Sequence, residues 1–378
     1  MKICLAMGPW LPVPPIQGGA VERRWQGVAE VLASRGHNVE ILCKSYDGQP
    51  ASEIINGVKY TRRYNFSQSK FVAVNLLKDL IYAVLLLTKI PKTDILVIND
   101  FWLPFLSSLI PRRSFKTIAN VARFPKGQIF LYSKIDRIIV PSAAMKKAIA
   151  AEAKTLLNQT VVVPNPINIS KFKYSSPSQN KCGKQIILYV GRVHPEKGLT
   201  LLIDAFSSIS QKFPSTKLQI VGPHLEYQGG GGPHYLHSLK EKSINLNVDF
   251  TGPIFNIDEL AQKYQNATVF CYPSIAEKGE SFGVAPLEAM STGLVPIVSS
   301  LECFSSFIKD GENGYYFDHR NNYASDDLAD KIIKVLENRE VAQKMSESAI
   351  KTAFEFSYEK VAIQYEKLFF ELYSNTTC

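Results

Sequence analysis

Paired cysteines are absent from this sequence of 378 residues. No two of its cysteines form Cys-x-x-Cys or a cysteine–histidine spacing typical of a zinc site. This absence excludes a disulfide scaffold and favours a reduced, cytoplasmic compartment. The six widely spaced cysteines are Cys4, Cys43, Cys182, Cys271, Cys303 and Cys378.

Long hydrophobic runs are absent as well. The most apolar window, 71–87, contains Asn75, Lys78 and Asp79 near its centre, and a membrane span needs roughly 20 apolar residues. The apolar stretch 3–7 is too short for the core of a signal peptide and is better explained as a buried strand. We therefore expect no segment that crosses a membrane.

Charge is moderate and lightly biased. Lys and Arg total 43 against 34 Asp and Glu, a net charge of +9, and 46% of the residues are hydrophobic. This composition excludes wholesale disorder, coiled coil and collagen. The positive excess favours anionic partners such as phosphorylated substrates, nucleic acid or an acidic lipid surface. The cations are dispersed along the chain, so nucleic acid is not the expected partner.

Short apolar runs alternate with helical periodicity, which predicts βαβ units, parallel sheets and two similar α/β halves joined near residue 170. The polar stretch 164–184 is the best linker candidate. Gly36 is expected in a left-handed conformation after the first helix, and Ser142 is expected to cap a later one. The predicted strands are 3–7, 39–43, 94–99, 117–121, 137–140, 185–190, 217–221, 248–250, 269–271 and 295–299, and the main predicted helices are 21–35, 143–153, 199–213, 326–337, 341–355 and 358–373.

Two cations follow the predicted strand 185–190. Gly191 and Arg192 come directly after it, and Lys197 and Gly198 precede the next helix. Ligands of an open parallel sheet bind at the carboxyl ends of strands, where glycine lets the backbone approach closely. Cations beside a helix N-terminus suit a phosphate or diphosphate, although two solvated surface cations explain the spacing about equally well.

A second loop, 273–283, follows another predicted strand. Pro286 suits the first turn of a short helix that ends at Gly293. The amides of that helix start would point towards an anion. They are those of Phe282, Gly283 and Val284.

Two glutamates, Glu280 and Glu288, lie eight positions apart at the rim of the same predicted crevice. Carboxylates there make sense as acceptors for sugar hydroxyls. Either glutamate alone is also explained as an acid that complements a helix dipole. A further loop carries Gly18 and Gly19 without Gly-x-Gly-x-x-Gly spacing, so close approach of a ligand and a plain tight turn are equally good interpretations.

Together these motifs resemble the family 4 glycosyltransferases of the GT-B fold, and the match spans nearly the whole chain. The resemblance implies a retaining transferase that uses a nucleotide-activated sugar. It rests on Gly191-Arg192 with Glu196-Lys197-Gly198, Glu280-Ser281-Phe282-Gly283 with Leu287-Glu288-Ala289-Met290, Gly18-Gly19-Ala20, Arg35-Gly36-His37-Asn38-Val39 and Val163-Pro164-Asn165-Pro166-Ile167.

The resemblance implies two Rossmann-like, parallel-sheet α/β domains that face a central cleft. Residues 1–168 would bind the acceptor, residues 169–357 would bind the nucleotide-sugar, and the C-terminal helix within 358–378 would cross back to the first domain. The implied activity moves a hexose-type sugar from a nucleotide-diphosphate sugar to a hydroxyl acceptor. The expected setting is synthesis of surface polysaccharide, lipopolysaccharide or glycolipid in the cytoplasm, at the inner face of an anionic membrane.

The resemblance also assigns roles. Arg192 and Lys197 would hold the donor diphosphate, and with Glu280, which would bind the sugar hydroxyls, they form the expected catalytic set. Glu288 would bind the ribose hydroxyls, and Gly19 would approach the diphosphate from the first domain. The amides named above complete the donor site.

Two absences refine this picture. Asp-x-Asp does not occur, so the ligand pair of a metal-chelated diphosphate is missing, and we expect activity without a metal or other cofactor. Many family members carry a histidine after a central N-terminal strand, but the corresponding stretch 118–128 has none. Asn120 or Arg123 is expected to act there on the acceptor side, although a surface cation explains Arg123 equally well.

Other interpretations stay open. A GT-B nucleotide-sugar epimerase would share the fold, and a non-catalytic nucleotide-sugar-binding protein would share the motifs. His224, His234 and His237 flank a glycine run that we interpret as a flexible loop rather than a metal site. The window 71–87 with Lys70 is compatible with contact to anionic lipid, but an ordinary core helix with a solvated face is favoured.

Overall fold

The computed structural model describes residues 1–16, 18–63, 66–110, 114–174 and 185–374. The chain divides into two compact units, one formed by Met1–Pro166 with Tyr358–Cys378 and the other by Ile167–Ser357. Residues 175–184 of the linker candidate lie outside the described residues, as do Cys182 and Cys378. The other four cysteines are buried free thiols.

The strands form one sheet in each unit. The first unit holds β1 (Lys2–Ala6), β2 (Asn38–Lys44), β3 (Ser52–Ile55), β4 (Val58–Arg63), β5 (Ile95–Ile98), β6 (Lys116–Asn120), β7 (Arg137–Val140) and β8 (Thr160–Val162). The second unit holds β9 (Ile186–Val190), β10 (Lys217–Val221), β11 (Val248–Gly252), β12 (Val269–Tyr272), β13 (Pro296–Ser299) and β14 (Tyr315–Phe317).

The α-helices are numbered along the chain. They are α1 (Ala20–Ser34), α2 (Val72–Leu87), α3 (Leu103–Ser107), α4 (Ala143–Glu152), α5 (Leu199–Lys212), α6 (Gly232–Lys242), α7 (Ile257–Asn266), α8 (Val284–Ser291), α9 (Ala324–Glu337), α10 (Arg339–Phe354) and α11 (Tyr358–Ser374). Within the described part of the chain, none of them is both long enough and apolar enough to span a membrane.

The sheet of the first unit has the order β3-β4-β2-β1-β5-β6-β7-β8. Its pairs are parallel except for the β3–β4 hairpin. The predicted strands are confirmed to within a residue or two. Gly36 has a φ of 89°, and the Ser142 hydroxyl accepts a hydrogen bond from the Met145 amide at the start of α4. Both local predictions are therefore confirmed.

The last helix, α11, belongs to the first unit, as the resemblance implied. It packs on α1, where Trp25 and Tyr365 have ring centroids 4.9 Å apart. Glu366 bridges Arg35 and His37 beside this contact at 2.7 and 2.8 Å. The packing of Tyr365 on Trp25 and the ion pairs of Glu366 together hold α11 on the first unit. The other strands and helices of that unit all come before residue 167.

The sheet of the second unit is wholly parallel, with the order β11-β10-β9-β12-β13-β14. The chain leaves β9 towards β10 on one side, and it later returns to place β12 on the other. The boundary between β9 and β12 is therefore a topological switch point, where an open α/β sheet places its ligands.

Candidate active site

The turn from β9 to α5 lies at this switch point and requires glycine. The Gly191 amide bonds the Val221 carbonyl at 3.0 Å. A Cβ on Gly222 would fall 1.8 Å from the Gly191 carbonyl oxygen, and a Cβ on Gly198 would fall 2.0 Å from the Pro273 carbonyl oxygen. Gly198 has a φ of 65° and lies directly before α5. The backbone of the β9 turn is thus packed against the loop after β12 too closely for any side chain.

Arg192 leaves this turn with its guanidinium held at two points. Nη2 donates to Glu196 Oε1 at 2.6 Å, and Nη1 donates to the Gly229 carbonyl at 2.5 Å. The side chain is 40% exposed, so solvent still reaches the cation. Glu196, to which the sequence interpretation gave no role, therefore fixes where this charge points.

Lys197 is buried at the same turn, with only 4% of its surface exposed. Its Nζ donates to Glu280 Oε2 at 2.6 Å and lies 5.5 Å from the centre of the Tyr272 ring. A buried ammonium group requires a counter-charge, since desolvation is costly for an unpaired ion. The structure thus brings together two residues that the motifs had named separately.

Tyr272, at the end of β12, supports this pair. Its hydroxyl lies near the Glu280 carboxylate, and its ring stacks on Tyr189 at 5.7 Å. Burial, with the nearby carboxylate of Glu280, raises the pKa of Tyr272 well above its usual value. The phenol is therefore neutral at physiological pH and can serve as a hydrogen-bond donor to Glu280.

The loop after β12 continues into α8, which starts as predicted. Gly283, with a φ of 85°, lies directly before the helix, and a Cβ there would meet the Phe304 ring at 2.4 Å. Phe282 is buried against Phe307 and Phe356. Gly293 follows the helix with a φ of 82°. Aromatic packing thus anchors the start of α8, whose first amides lack partners within the helix.

Glu288 is buried on α8 and meets a residue that the sequence interpretation missed. The Tyr264 hydroxyl donates to Glu288 Oε2 at 2.9 Å. Tyr264 is itself wedged between Phe172 and Phe270, with ring centroids at 5.5 and 5.6 Å. Two aromatic rings therefore restrain the tyrosine whose hydroxyl orients this carboxylate.

The remaining predicted residues lie in the first unit. Gly19 precedes α1 with a φ of 108°, and a Cβ there would fall 2.2 Å from Glu22 Oε2. Burial raises the pKa of Glu22, and the charge of the exposed Arg123 partly opposes that rise. Gly19 and Arg123 are thus both near the carboxylate of Glu22.

Asn120 ends β6 and donates from Nδ2 to Asn99 Oδ1 at 2.6 Å. Asn99 Oδ1 also accepts the indole N–H of Trp25 at 2.6 Å. The sequence analysis gave no role to Asn99, although this residue is the last one of the predicted strand 94–99, directly after its apolar residues. Asn120 is therefore part of a polar network at the carboxyl edge of the sheet.

The histidine-flanked glycine run forms a compact turn before α6. Gly230 donates to the Leu225 carbonyl, Gly231 to the Val193 carbonyl and Gly232 to the His224 carbonyl, at 2.8 to 2.9 Å. In the part of the chain that the structure describes, no group of three His, Cys, Asp or Glu side chains could hold a metal ion. The turn instead carries the carbonyl that receives Arg192.

Two parallel sheets, each with its helices, and a last helix that returns to the first unit define the GT-B fold. A solved structure of HepE from Anabaena in complex with UDP-glucose shares this fold, with a TM-score of 0.74 over 97% of this chain and 99% of that chain at 18% identity. Residues 170–352 match the model of the glycosyl transferases group 1, and residues 18–171 match that of the Glycosyltransferase Family 4.

Curated relatives agree with these matches. An uncharacterized glycosyltransferase of Methanocaldococcus jannaschii is 26% identical over 96% of both chains. The phosphatidyl-myo-inositol mannosyltransferase of Mycobacterium tuberculosis is 31% identical over 54% of this chain and 52% of its own length. The chain belongs to the group 1, family 4 glycosyltransferases, and it is a glycosyltransferase.

Proposed function

We propose that this enzyme transfers a hexose-type sugar, with retention of configuration, from a nucleotide-diphosphate sugar to a hydroxyl group of a glycolipid or lipid-linked glycan. The observation that carries the proposal is the buried contact of Lys197 with Glu280, 2.6 Å long, at the switch point of the second sheet. Arg192 leaves the same turn as Lys197.

The charges at this turn suit a departing diphosphate. Negative charge grows on the leaving group as the glycosidic bond breaks, and cations fixed nearby stabilise it most in the transition state. Lys197 and Arg192 supply two such cations, and the start of α8 adds backbone amides. Because these groups supply positive charge without a metal ion, we propose metal-independent transfer.

The carboxylate partners fit the sugar part of the donor. In the structure, Glu280 neutralises Lys197; when a diphosphate takes over that role, the Glu280 oxygens can accept hydrogen bonds from sugar hydroxyls. Tyr272 keeps the carboxylate in place during this exchange. Glu288, oriented by Tyr264, is proposed to accept the ribose hydroxyls.

Two similar proteins support the choice of substrates. The HepE structure holds UDP-glucose. The relative from M. tuberculosis is named for mannosyl transfer to phosphatidyl-myo-inositol, which is a lipid. We therefore propose a nucleotide-sugar donor, a lipid-borne acceptor and action in the cytoplasm at the inner face of a membrane.

The decisive experiment combines binding with turnover. The purified protein is screened with UDP-, GDP- and ADP-sugars for thermal stabilisation, and the stabilising donor is then used in a nucleotide-release assay. Replacing Lys197 by Ala is expected to lower turnover at least about 100-fold, because its charge acts on the transition state. The matched control is Lys242→Ala, which removes the Lys242–Asp204 ion pair of equal length, 2.6 Å, from the exposed surface of the same unit.

Full activity in both Lys197→Ala and Arg192→Ala would show that the diphosphate is bound elsewhere. A new nucleotide-sugar formed from the donor alone would indicate an epimerase. Product anomers are identified by NMR, and an inverted anomer would contradict retention. Activity abolished by a chelator and restored by Mg²⁺ or Mn²⁺ would contradict metal independence.

A further inference from the structure

Helix α2 of the first unit exposes an apolar surface. In and beside this helix of 16 residues, eight large apolar side chains are between 38% and 74% exposed. They are Phe71, Val72, Val74, Leu76, Leu77, Ile81, Val84 and Leu85. A helix with this many apolar residues normally buries most of them, so the exposed apolar residues of α2 form a surface without cover in this structure.

One stripe of α2 concentrates the exposure, and we call it the α2 outer face: Val74, Leu77, Ile81, Val84 and Leu85. These positions recur at intervals of three and four residues, so they share one side of the helix. The stripe extends along a helix about 24 Å long. It is therefore a continuous surface rather than scattered apolar residues.

The opposite side of α2 is already occupied. Tyr82, Ala83 and Leu86 are buried in the core of the first unit, and α3 packs against the helix. The Trp102 indole N–H donates to the Leu76 carbonyl at 3.0 Å. The inner side of α2 is thus core and its outer side is exposed to solvent, as the favoured sequence interpretation expected, but the exposed side is largely apolar.

The exposed charges in the segment around α2 are of one sign. Between residues 66 and 92, all of them described, the sequence has four lysines and one acidic residue, Asp79, which is buried. Lys70 and Lys89 are exposed beyond the two ends of the helix. Two copies packed face to face would bring lysines together with no exposed carboxylate from this segment to pair them, so self-association is disfavoured.

We propose that the α2 outer face binds the surface of an anionic lipid bilayer, with its aliphatic side chains among the acyl chains and the lysines at the headgroups. A helix whose apolar side inserts and whose basic residues contact anionic headgroups binds in the plane of the interface. Trp102 lies beside the helix, where its indole N–H bonds the Leu76 carbonyl. The proposal rests on the membrane setting of the proposed function and deepens it by naming the surface that meets the lipid, although lipid binding itself requires no sugar transfer.

The test uses the full-length protein and phosphatidylcholine vesicles with and without phosphatidylglycerol, measured by flotation and tryptophan emission. The wild type is expected to bind the phosphatidylglycerol vesicles more tightly. The triple variant Leu77→Asn, Ile81→Asn and Val84→Asn is expected to bind them about 100-fold more weakly, because each half-exposed aliphatic side chain that inserts contributes roughly a factor of five. Lys70→Gln and Lys89→Gln are each expected to weaken that binding about fivefold.

A control triple variant removes exposed aliphatic residues elsewhere, at Ile54, Ile244 and Ile363, and is expected to bind like the wild type. Equal binding by the two triple variants would overturn the proposal, as would a wild type that binds neither vesicle. A dimer without vesicles that becomes monomeric in the α2 triple variant would show that a second copy covers the face instead. Thermal stabilisation by the donor is measured in parallel, so a failure of lipid binding is distinguished from a failure of the proposed function.

Discussion

Replacing Asp79 by Asn is expected to stabilise the first unit at neutral pH. The carboxyl groups of Asp79 on α2 and Asp100 after β5 lie close together, and the two residues are only 5% and 7% exposed. Asp100 Oδ1 also accepts the amides of Trp102 and Leu103 at 3.0 and 2.7 Å, so it caps the start of α3. Two buried carboxyls so close together share a proton rather than both ionising.

The magnitude follows from the pKa values. Burial raises the pKa of Asp79 from 3.8 to about 6, and burial with the charge of Asp79 raises that of Asp100 well above its usual range. A carboxyl with a raised folded-state pKa binds more protons in the folded state, so the contribution of Asp79 to stability falls as pH rises from about 4 to about 6 and then levels off. For Asp79 the loss amounts to about 3 kcal/mol at neutral pH.

The assay, tryptophan fluorescence during urea unfolding, measures the stability of the first unit alone. All three tryptophans, Trp10, Trp25 and Trp102, belong to that unit, so urea unfolding followed by their emission reports its stability. Asp79→Asn is expected to match the wild type near pH 4 and to exceed it by about 3 kcal/mol at pH 7.5.

The control variant Asp94→Asn removes a carboxylate that accepts the Lys2 amide, and it should keep the wild-type pH dependence. A wild type whose stability is flat or rises between pH 4 and pH 7 would refute the reasoning. An Asp79→Asn variant with the same pH dependence as the wild type would do so too.

Three further perturbations test other contacts. Tyr264→Phe removes the hydroxyl that orients Glu288. It should raise the dissociation constant of the donor, measured by calorimetry, roughly tenfold, while initial rates at saturating donor change little. An unchanged dissociation constant would contradict the role of Tyr264. Gly198→Ala should lower the unfolding temperature and weaken donor binding, because the added Cβ would meet the Pro273 carbonyl oxygen at 2.0 Å. The control Gly36→Ala, where no atom lies within 4 Å of the added Cβ, should lower the free energy of unfolding by about 1 kcal/mol from backbone strain alone. Equal losses of stability in the two variants would argue against the close approach at the site. Glu366→Gln should destabilise the first unit at neutral pH, because Arg35 and His37 hold the pKa of Glu366 below its usual 4.5. This stabilisation is present above the pKa of Glu366 in the unfolded chain and is lost as pH falls through its pKa in the folded protein. A destabilisation that persists in strong acid would contradict the ion pair.

Much of the fold could be predicted from local patterns. Arg137–Val140 and Lys217–Val221 are strands with the predicted bounds, because a short apolar run between turn residues has few other stable conformations. The β3–β4 hairpin was missed, yet Asn56-Gly57 between its strands has positive φ at both residues and is a strong hairpin signal.

The candidate site was predicted in its residue types and in part of its geometry. The glycine turns and the start of α8 follow from residues that are adjacent in the chain. The contacts made by Tyr264 and Tyr272 have no local signal, because an aromatic residue in an apolar segment usually serves only for packing. Their hydroxyls acquire roles only when α7 and β12 are placed beside α8 and Glu280.

The amino-acid sequence by itself determined where the strands, helices and glycine turns lie, because those depend on neighbours a few residues apart. Only the tertiary structure decided that Lys197 and Glu280, which are 83 positions apart, share a buried ion pair. It likewise decided that one side of α2 is left uncovered, although the side chains exposed there are largely apolar. Both outcomes depend on which segments of the chain pack together and exclude water from one another. Exclusion of solvent is therefore a property of the packed chain rather than of any single segment.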